Sequence, residues 1–261
     1  MRQIVLLKDI PDLSEIKIDS ETRVPRLEGV KRRISDVDKR ALEAAIRIKE
    51  SVGGEVLVLS MGDEKTKTCM LEALAMGADA AYVVDESQFR GLDTNATSRV
   101  LEAAVKKIGG YDLVLAGEMT LDGMSSAVGP RIAELLNLPQ LTYVKELRVE
   151  SGRVRAVRDM EDVDEVAEVE LPALVTVVRE INEPRIPSLM NIMKAKKKPQ
   201  TVWVAPDLGL NSNEVKTMSH VRVLSVKAPK VERKQIKVEA DTVEEAAAKL
   251  ARYLVGEGVL K

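Results

Sequence analysis

Asp36-Val-Asp-Lys-Arg-Ala-Leu-Glu-Ala-Ala-Ile-Arg-Ile-Lys-Glu-Ser-Val-Gly-Gly-Glu-Val-Leu-Val-Leu-Ser60 carries the pattern that fixes the architecture. Val37, Ala41, Ala44, Ala45 and Ile48 recur at helical spacing, and the run stops at Gly53-Gly54. Glu55–Ser60 then reads as a strand. The alternation continues on both sides. Gln3–Lys8 is an apolar run of strand length. Glu64–Met76 is a helix closed by Gly77, Ala80–Val84 a strand, and Thr94–Ile108 a helix ending at Gly109-Gly110. Leu113–Ala116 is a strand and Ser125–Leu136 a helix. Strands and helices alternating at these lengths predict an α/β fold, a doubly wound and mostly parallel sheet covered on both faces. Nucleotides bind such sheets at the carboxyl ends of the strands, where loops meet helix N-termini.

After Pro139 the rhythm changes. Thr142–Val149, Arg153–Val157 and Val166–Val178 read as strands, with Glu150-Ser-Gly152 a tight turn and Pro172 an interruption. They are expected to form an antiparallel extension of the sheet. Residues 1–198 are thus expected to make one nucleotide-binding domain. Residues 199–261 read as an extended arm without a core of its own. Asp241-Thr-Val-Glu244 has the side chains of a capping box and opens a helix over 242–255, which needs a surface to pack on.

Composition narrows the function. A net charge of −2 and a pI near 5.8 give no argument for nucleic acid, and the basic block at 194–198 is local. No run approaches the roughly 18 apolar residues of a membrane span, and no signal peptide is evident, so a cytoplasmic location is expected. The single Cys69 excludes an internal disulfide, and the single His220 leaves no basis for a histidine metal site or triad. Aromatic residues make up only 2%, so a flavin ring held between aromatic faces would have to borrow them from another chain.

Four loops fall at the carboxyl ends of the predicted strands: 8–12, 35–38, 60–62 and 117–129. None is a G-x-G-x-x-G fingerprint or a P-loop. The best phosphate candidate is Asp122-Gly-Met-Ser-Ser126, which offers a turn, two hydroxyls and free N–H groups before a helix; Ser125 could equally be a plain helix cap. A second segment stands out: Ile181-Asn-Glu-Pro-Arg-Ile-Pro-Ser-Leu-Met-Asn-Ile-Met-Lys-Ala-Lys-Lys-Lys198. Pro184 and Pro187 stiffen it, Ser188 can cap a short helix, and Leu189, Met190, Ile192 and Met193 sit beside a lysine block. It reads as a docking loop for an acidic partner or as a connecting loop with a solvated lysine face.

The order N-E-P-R, then S-L-x-N-I-M-K-A-K-K-K, resembles the partner-recognition loop of electron transfer flavoprotein β subunits, and the likeness runs from Val5 to about Leu210. The resemblance implies an adenine-nucleotide-binding fold in a heterodimer with an α subunit. The dimer would shuttle electrons between flavin dehydrogenases, or a quinone oxidoreductase, and an acceptor. By the same resemblance Leu189 would insert into the dehydrogenase, flanked by Lys194 and the lysines after it, including Lys197. Leu6, Ser35, Asp36, Val37 and Asp38 would surround adenine and ribose, with Met61 beside them. Gly117 and the run Asp122, Gly123, Ser125, Ser126, Ala127 and Val128 would cradle the phosphate. Leu13 would lie near the flavin of the partner. Arg185 would place positive charge near that flavin, or form a surface ion pair. The arm would pack on the second subunit.

Ordinary members hold AMP in this pocket; electron-bifurcating members, which oxidise NADH, hold a second FAD by its AMP half. Asp122-Gly123, Val128-Gly-Pro130, Ile10-Pro11-Asp12 and the 85–97 loop resemble the bifurcating pattern, whereas Met124, Ala127 and Ser35-Asp-Val-Asp38 depart from the family's usual residues. No acid, base or nucleophile is called for, since electron transfer needs none. Two rivals remain. A stand-alone nucleotide-binding module would lack the 181–198 loop, and a hydrolase or pyrophosphatase of related fold would need a Gly-rich loop after the first strand, which is absent.

Overall fold

The computed structural model describes residues 1–230 and 233–260. In chain order the strands are β1 (Arg2–Leu6), β2 (Asp9–Pro11), β3 (Lys17–Ile18), β4 (Pro25–Arg26), β5 (Arg32–Ile34), β6 (Glu55–Gly62), β7 (Ala80–Asp85), β8 (Leu113–Gly117), β9 (Gln140–Glu150), β10 (Arg153–Asp159), β11 (Asp164–Glu170), β12 (Ala173–Val177) and β13 (Gln200–Trp203). The helices are α1 (Asp36–Val52), α2 (Glu64–Met76), α3 (Thr94–Ile108), α4 (Val128–Leu135), α5 (Leu189–Ala195), α6 (Ser212–Thr217) and α7 (Val243–Gly256).

Nine strands form one sheet in the order β11-β10-β9-β12-β8-β1-β6-β7-β13. From β9 to β13 every pairing is parallel; only β10 runs against the rest, antiparallel to both β9 and β11. The chain builds outward from β1 in both directions, through β6 and β7 on one side and β8 on the other. The order therefore reverses between β1 and β8, which opens a crevice at their carboxyl ends. Side chains alternate across the sheet. Val56 and Val58 pack under α1 and α2, whereas Leu57 and Leu59 pack under α3 and α4. Each such buried aliphatic side chain contributes about 1.5–3 kcal/mol.

Three expectations are corrected. The antiparallel extension is smaller than read, because β12 lies inside the sheet, parallel to β8 and to β9. All five residues of β12 are buried, as a central strand requires, while β11 alternates as an edge strand does. Secondly, α4 begins at Val128 and not at Ser125. Met124 and Ser126 take left-handed φ of 46° and 47°, so the chain there cannot be helical. Thirdly, the body of the fold continues past residue 198. β13 pairs with β7, Trp203 stacks on Tyr82 with ring centroids 4.8 Å apart, and Ala205 and Val215 are buried beneath α3. Four residues with one large aromatic are too few to announce a strand; the open edge of β7 makes them one.

Beyond α6 the chain is pinned by Asp93, whose carboxylate accepts from the His220 and Val221 N–H groups. α7 is capped by Thr242, which accepts from the Glu245 N–H, one step later than the predicted box. Val243, Leu250, Tyr253 and Val255 of α7 are exposed. Among the described residues no helix is long and apolar enough to cross a membrane. A chain ended after Lys198 is expected to melt roughly 5 °C or more below the full chain, because it loses β13, Trp203 and α6. One ended after Val221 is expected to keep the wild-type value. Scanning calorimetry checks this, and equal melting of the 198-residue form would show that β13 contributes nothing.

Candidate functional site

The crevice is built around a carboxylate. Asp38, in the first turn of α1, is buried. Its Oδ2 accepts from the Lys8 N–H at 2.8 Å and its Oδ1 from the Gly117 N–H at 3.0 Å. The loop after β1, the start of α1 and the end of β8 are thereby tied at one point. Ser35 N–H adds a bond to the Lys8 carbonyl at 2.9 Å. Gly117 must be glycine here, since a Cβ would stand 2.6 Å from Asp38 Oδ1 and 2.9 Å from the Asp38 nitrogen. Burial pushes the Asp38 carboxyl up to about 7, against the pull of the two N–H donors from Lys8 and Gly117.

The second wall is the loop between β8 and α4. Gly123 and Met124 N–H groups close on the Thr120 carbonyl at 3.3 and 2.8 Å. Lys8 Nζ reaches across the crevice to Asp122 at 2.7 Å. Burial works to raise the Asp122 carboxyl, but the bonds from Lys8 and Thr120 prevail and hold it below the usual range. At α4 the N-cap is Ala127, which gives no side-chain bond, and the first turn holds no acid. α1, in contrast, carries Asp36 and Asp38 in its first turn. The uncompensated N–H groups at the start of α4 are therefore the ones suited to an anion. Ser35 Oγ and Ser60 Oγ are buried without a hydrogen-bond partner, two polar atoms that the protein itself leaves unused. This donor set fits an adenylate: α4 offers N–H groups to a phosphate, and hydroxyls lie nearby for a nucleoside.

Leu6, Ser35, Val37, Asp38, Gly117 and Asp122 are thus brought together, and Met61 packs in the same apolar cluster as Leu6. Asp36 is taken up by Arg33, and Ser125 is exposed rather than capping α4. Sequence reasoning missed Lys8 as a site residue. Its position directly after the first strand was the available signal.

The 181–198 segment is held at both ends. Asn182 Nδ2 donates to the Arg40 carbonyl at 3.0 Å, and Arg40 pairs with Glu183 at 3.0 Å. Arg185 donates from its main-chain N–H and Nε to Glu43 at 3.2 and 2.8 Å, and from Nη1 to Glu50 at 2.6 Å. Arg185 thus forms the ion pair that was one of its two readings. Glu43 is only 2% exposed; burial works to raise its pKa, but bonds from Arg185 and Arg47 outweigh it and leave the carboxyl lowered. At the far end Ala195 is buried, and Lys198 Nζ donates to the carbonyls of Leu74 and Ala78 at the close of α2. Ser188 caps α5 by accepting from the Asn191 N–H. Between these anchors Leu189 is 83% exposed, with Met190, Ile192 and Met193 exposed around it. Leu13 is exposed in the turn after β2.

Fold and crevice together define a doubly wound, mostly parallel α/β domain with a crevice where its strand order reverses. A family model described as the electron transfer flavoprotein domain matches residues 27–208. The caffeyl-CoA reductase-Etf complex subunit CarD of Acetobacterium woodii is 40% identical over 212 residues, 81% of each chain. An electron transfer flavoprotein subunit beta of Thermoanaerobacterium thermosaccharolyticum is 45% identical over 162 residues, 61% of this chain and 62% of its own. Protein FixA of Sinorhizobium fredii is 38% identical over 161 residues, 60% of this chain and 56% of its own. The match thus spans about three fifths of the length of the last two relatives and about four fifths of CarD. The chain belongs to the electron transfer flavoprotein family, on its β-subunit side.

Two outcomes test the crevice. Gly117→Ala forces Asp38 and the start of α1 away from β8, and a loss of about 1–3 kcal/mol of stability is expected in denaturant unfolding. For Asp38 the sign follows from its raised pKa. The protonated carboxyl stabilises the fold fully below its unfolded value of 3.8, and that contribution is lost as pH rises through about 7. Wild type minus Asp38→Asn should therefore fall across that window, by at most about 1.4 kcal/mol per pH unit, and level off above it. A flat difference would mean that the carboxyl titrates normally.

Proposed function

We propose that this chain is the β subunit of an electron transfer flavoprotein that pairs with an α subunit and docks on a flavoprotein dehydrogenase or quinone oxidoreductase in the cytoplasm. The observation that carries the reading is the exposed Leu189 tip on a segment clamped at both ends. A connecting loop has no need of such anchorage, and an apolar tip held rigid costs a partner little ordering entropy. Lys194 and Lys197 flank the tip and favour an acidic partner surface. The β1/β8 crevice holds an adenine nucleotide, with Leu6, Ser35, Val37 and Asp38 at its nucleoside end. Gly117, Asp122, Gly123 and Ser126 to Val128 line its phosphate end. The cofactor supplies the redox chemistry; the chain orients it and fixes its distance from the partner's flavin, near which Leu13 lies. The exposed residues of α7 meet the α subunit, which gives the arm its missing packing surface.

A second reading is favoured by the long match to CarD, whose name places that protein in a reductase-Etf complex. The nucleotide is then the adenylate half of an FAD, and the complex bifurcates electrons from NADH. We favour this FAD over AMP, because Asp122-Gly123 and Val128-Gly-Pro130 follow that pattern. Counting nucleotides in the purified αβ dimer decides: two FAD are expected. One FAD with one AMP would sink bifurcation and keep the carrier, and neither nucleotide would sink both.

Leu189→Ala should leave nucleotide content and melting unchanged while weakening transfer to the dehydrogenase. Loss of one buried leucine side chain, about 1.5–3 kcal/mol, corresponds to roughly 10- to 100-fold. Stopped-flow rates equal to wild type would remove Leu189 from the interface.

A further inference from the structure

Helix α1 touches both functional regions. Its first turn carries Asp38, which fixes the crevice, and its next turns carry Arg40, Glu43, Arg47 and Glu50, which face the 181–198 segment. Among these Glu43 is exceptional, because a carboxylate with 2% exposure is rare unless it is paired. Its Oε2 accepts from Arg185 N–H and Nε, and its Oε1 from Arg47 Nε at 2.7 Å and Arg185 Nη2 at 3.2 Å. Both oxygens are thus saturated by a forked guanidinium, a geometry that sets direction as well as distance.

Arg185 lies between Pro184 and Pro187. Fixed φ angles on both sides leave few ways to compensate for a shifted Arg185, so its position sets the course of the chain into α5. The distal anchors, Ala195 and Lys198 on α2, do not depend on Glu43. Loss of the proximal clamp would therefore leave α5 attached and the fold intact, with the Leu189 end free to swing.

We propose that Glu43 is a positioning residue for docking: through Arg185 it sets the angle at which α5 presents Leu189 to the partner flavoprotein. This rests on the docking reading above. An exposed ion pair could not do this, since such pairs contribute little to holding a geometry. A buried carboxylate satisfied on both oxygens strongly disfavours release, because opening the contact strands a buried charge.

The test uses the full αβ complex with Glu43→Gln, Arg185→Lys, Leu189→Ala and the Glu43→Gln/Leu189→Ala double variant. Hydrogen exchange over residues 185–190 is read by mass spectrometry. Electron transfer is read with a purified flavoprotein dehydrogenase that the wild-type complex serves and, separately, with a small dye that needs no docking. Glu43→Gln is expected to speed exchange in the segment and raise KM for the dehydrogenase roughly 10-fold. Its kcat, its dye reduction and its FAD content should stay within about twofold of wild type. Arg185→Lys keeps the charge without the fork and should fall between. The double variant should be no worse than Leu189→Ala alone, since a tip already removed has no angle to lose. Unchanged exchange and KM in Glu43→Gln would overturn the proposal, as would a dye rate that falls with the dehydrogenase rate. If Leu189→Ala itself leaves KM at the wild-type value, the docking reading fails and this inference falls with it. A failure confined to Glu43→Gln overturns this inference alone.

Discussion

The buried contact between the Asp38 carboxylate and the N–H groups of Lys8 and Gly117 is the constraint on which the remaining architecture depends. It joins three segments that are distant in sequence at the point where strand order reverses. Backbone donors at loop ends are costly to leave unpaired inside a protein, and one carboxylate satisfies two of them. The arrangement admits no side chain at 117, so β8 can approach α1 closely only because a glycine stands there. The same close approach recurs at Gly129, where a Cβ would stand 2.7 Å from Thr176 Cγ2 and hold α4 off β12. Both helices that open on the crevice are thus seated by a glycine contact.

Once α1 is seated, its remaining turns fix the segment that leaves the domain after β12. Asn182, Glu183 and Arg185 all bond to α1, and the sequence separation in these contacts is more than 130 residues. A rise of about 1.5 Å per residue puts Glu43 roughly 7.5 Å along the helix axis from Asp38. The crevice and the 181–198 segment are therefore neighbours on one rigid rod. Few degrees of freedom separate the group that would be carried from the surface that would meet a client.

Local chemistry made much of this legible. α1, α2 and α3 span the residues read from the sequence, because Gly53, Gly77 and Gly109 each take a positive φ that ends a helix. The hairpin turn at Ser151-Gly152 was readable for the same reason. What stayed hidden depends on distant partners. Ser125 looks like a helix cap, but nothing local signals that Met124 and Ser126 go left-handed and delay α4 to Val128. β13 is a strand only because β7 offers an edge. Nothing local singles out Glu43, whose guanidinium partner lies 142 residues away. Of the site, the loops and residues such as Asp38 and Gly117 were legible, but the bond that locks those two together was not, nor was the part of Lys8.

The rim of the sheet has a consequence for solubility. β11, its outermost strand on one side, carries Asp164, Glu165, Glu168 and Glu170, tied to Lys145, Arg158 and Arg153 on the inner neighbours. A margin this rich in carboxylates repels an identical margin, so one copy cannot readily zip onto another along that side. The opposite margin, β13, is only four residues long and gives little template for growth. A broad parallel sheet, ordinarily an aggregation hazard, is thereby finished at both borders without closing into a barrel.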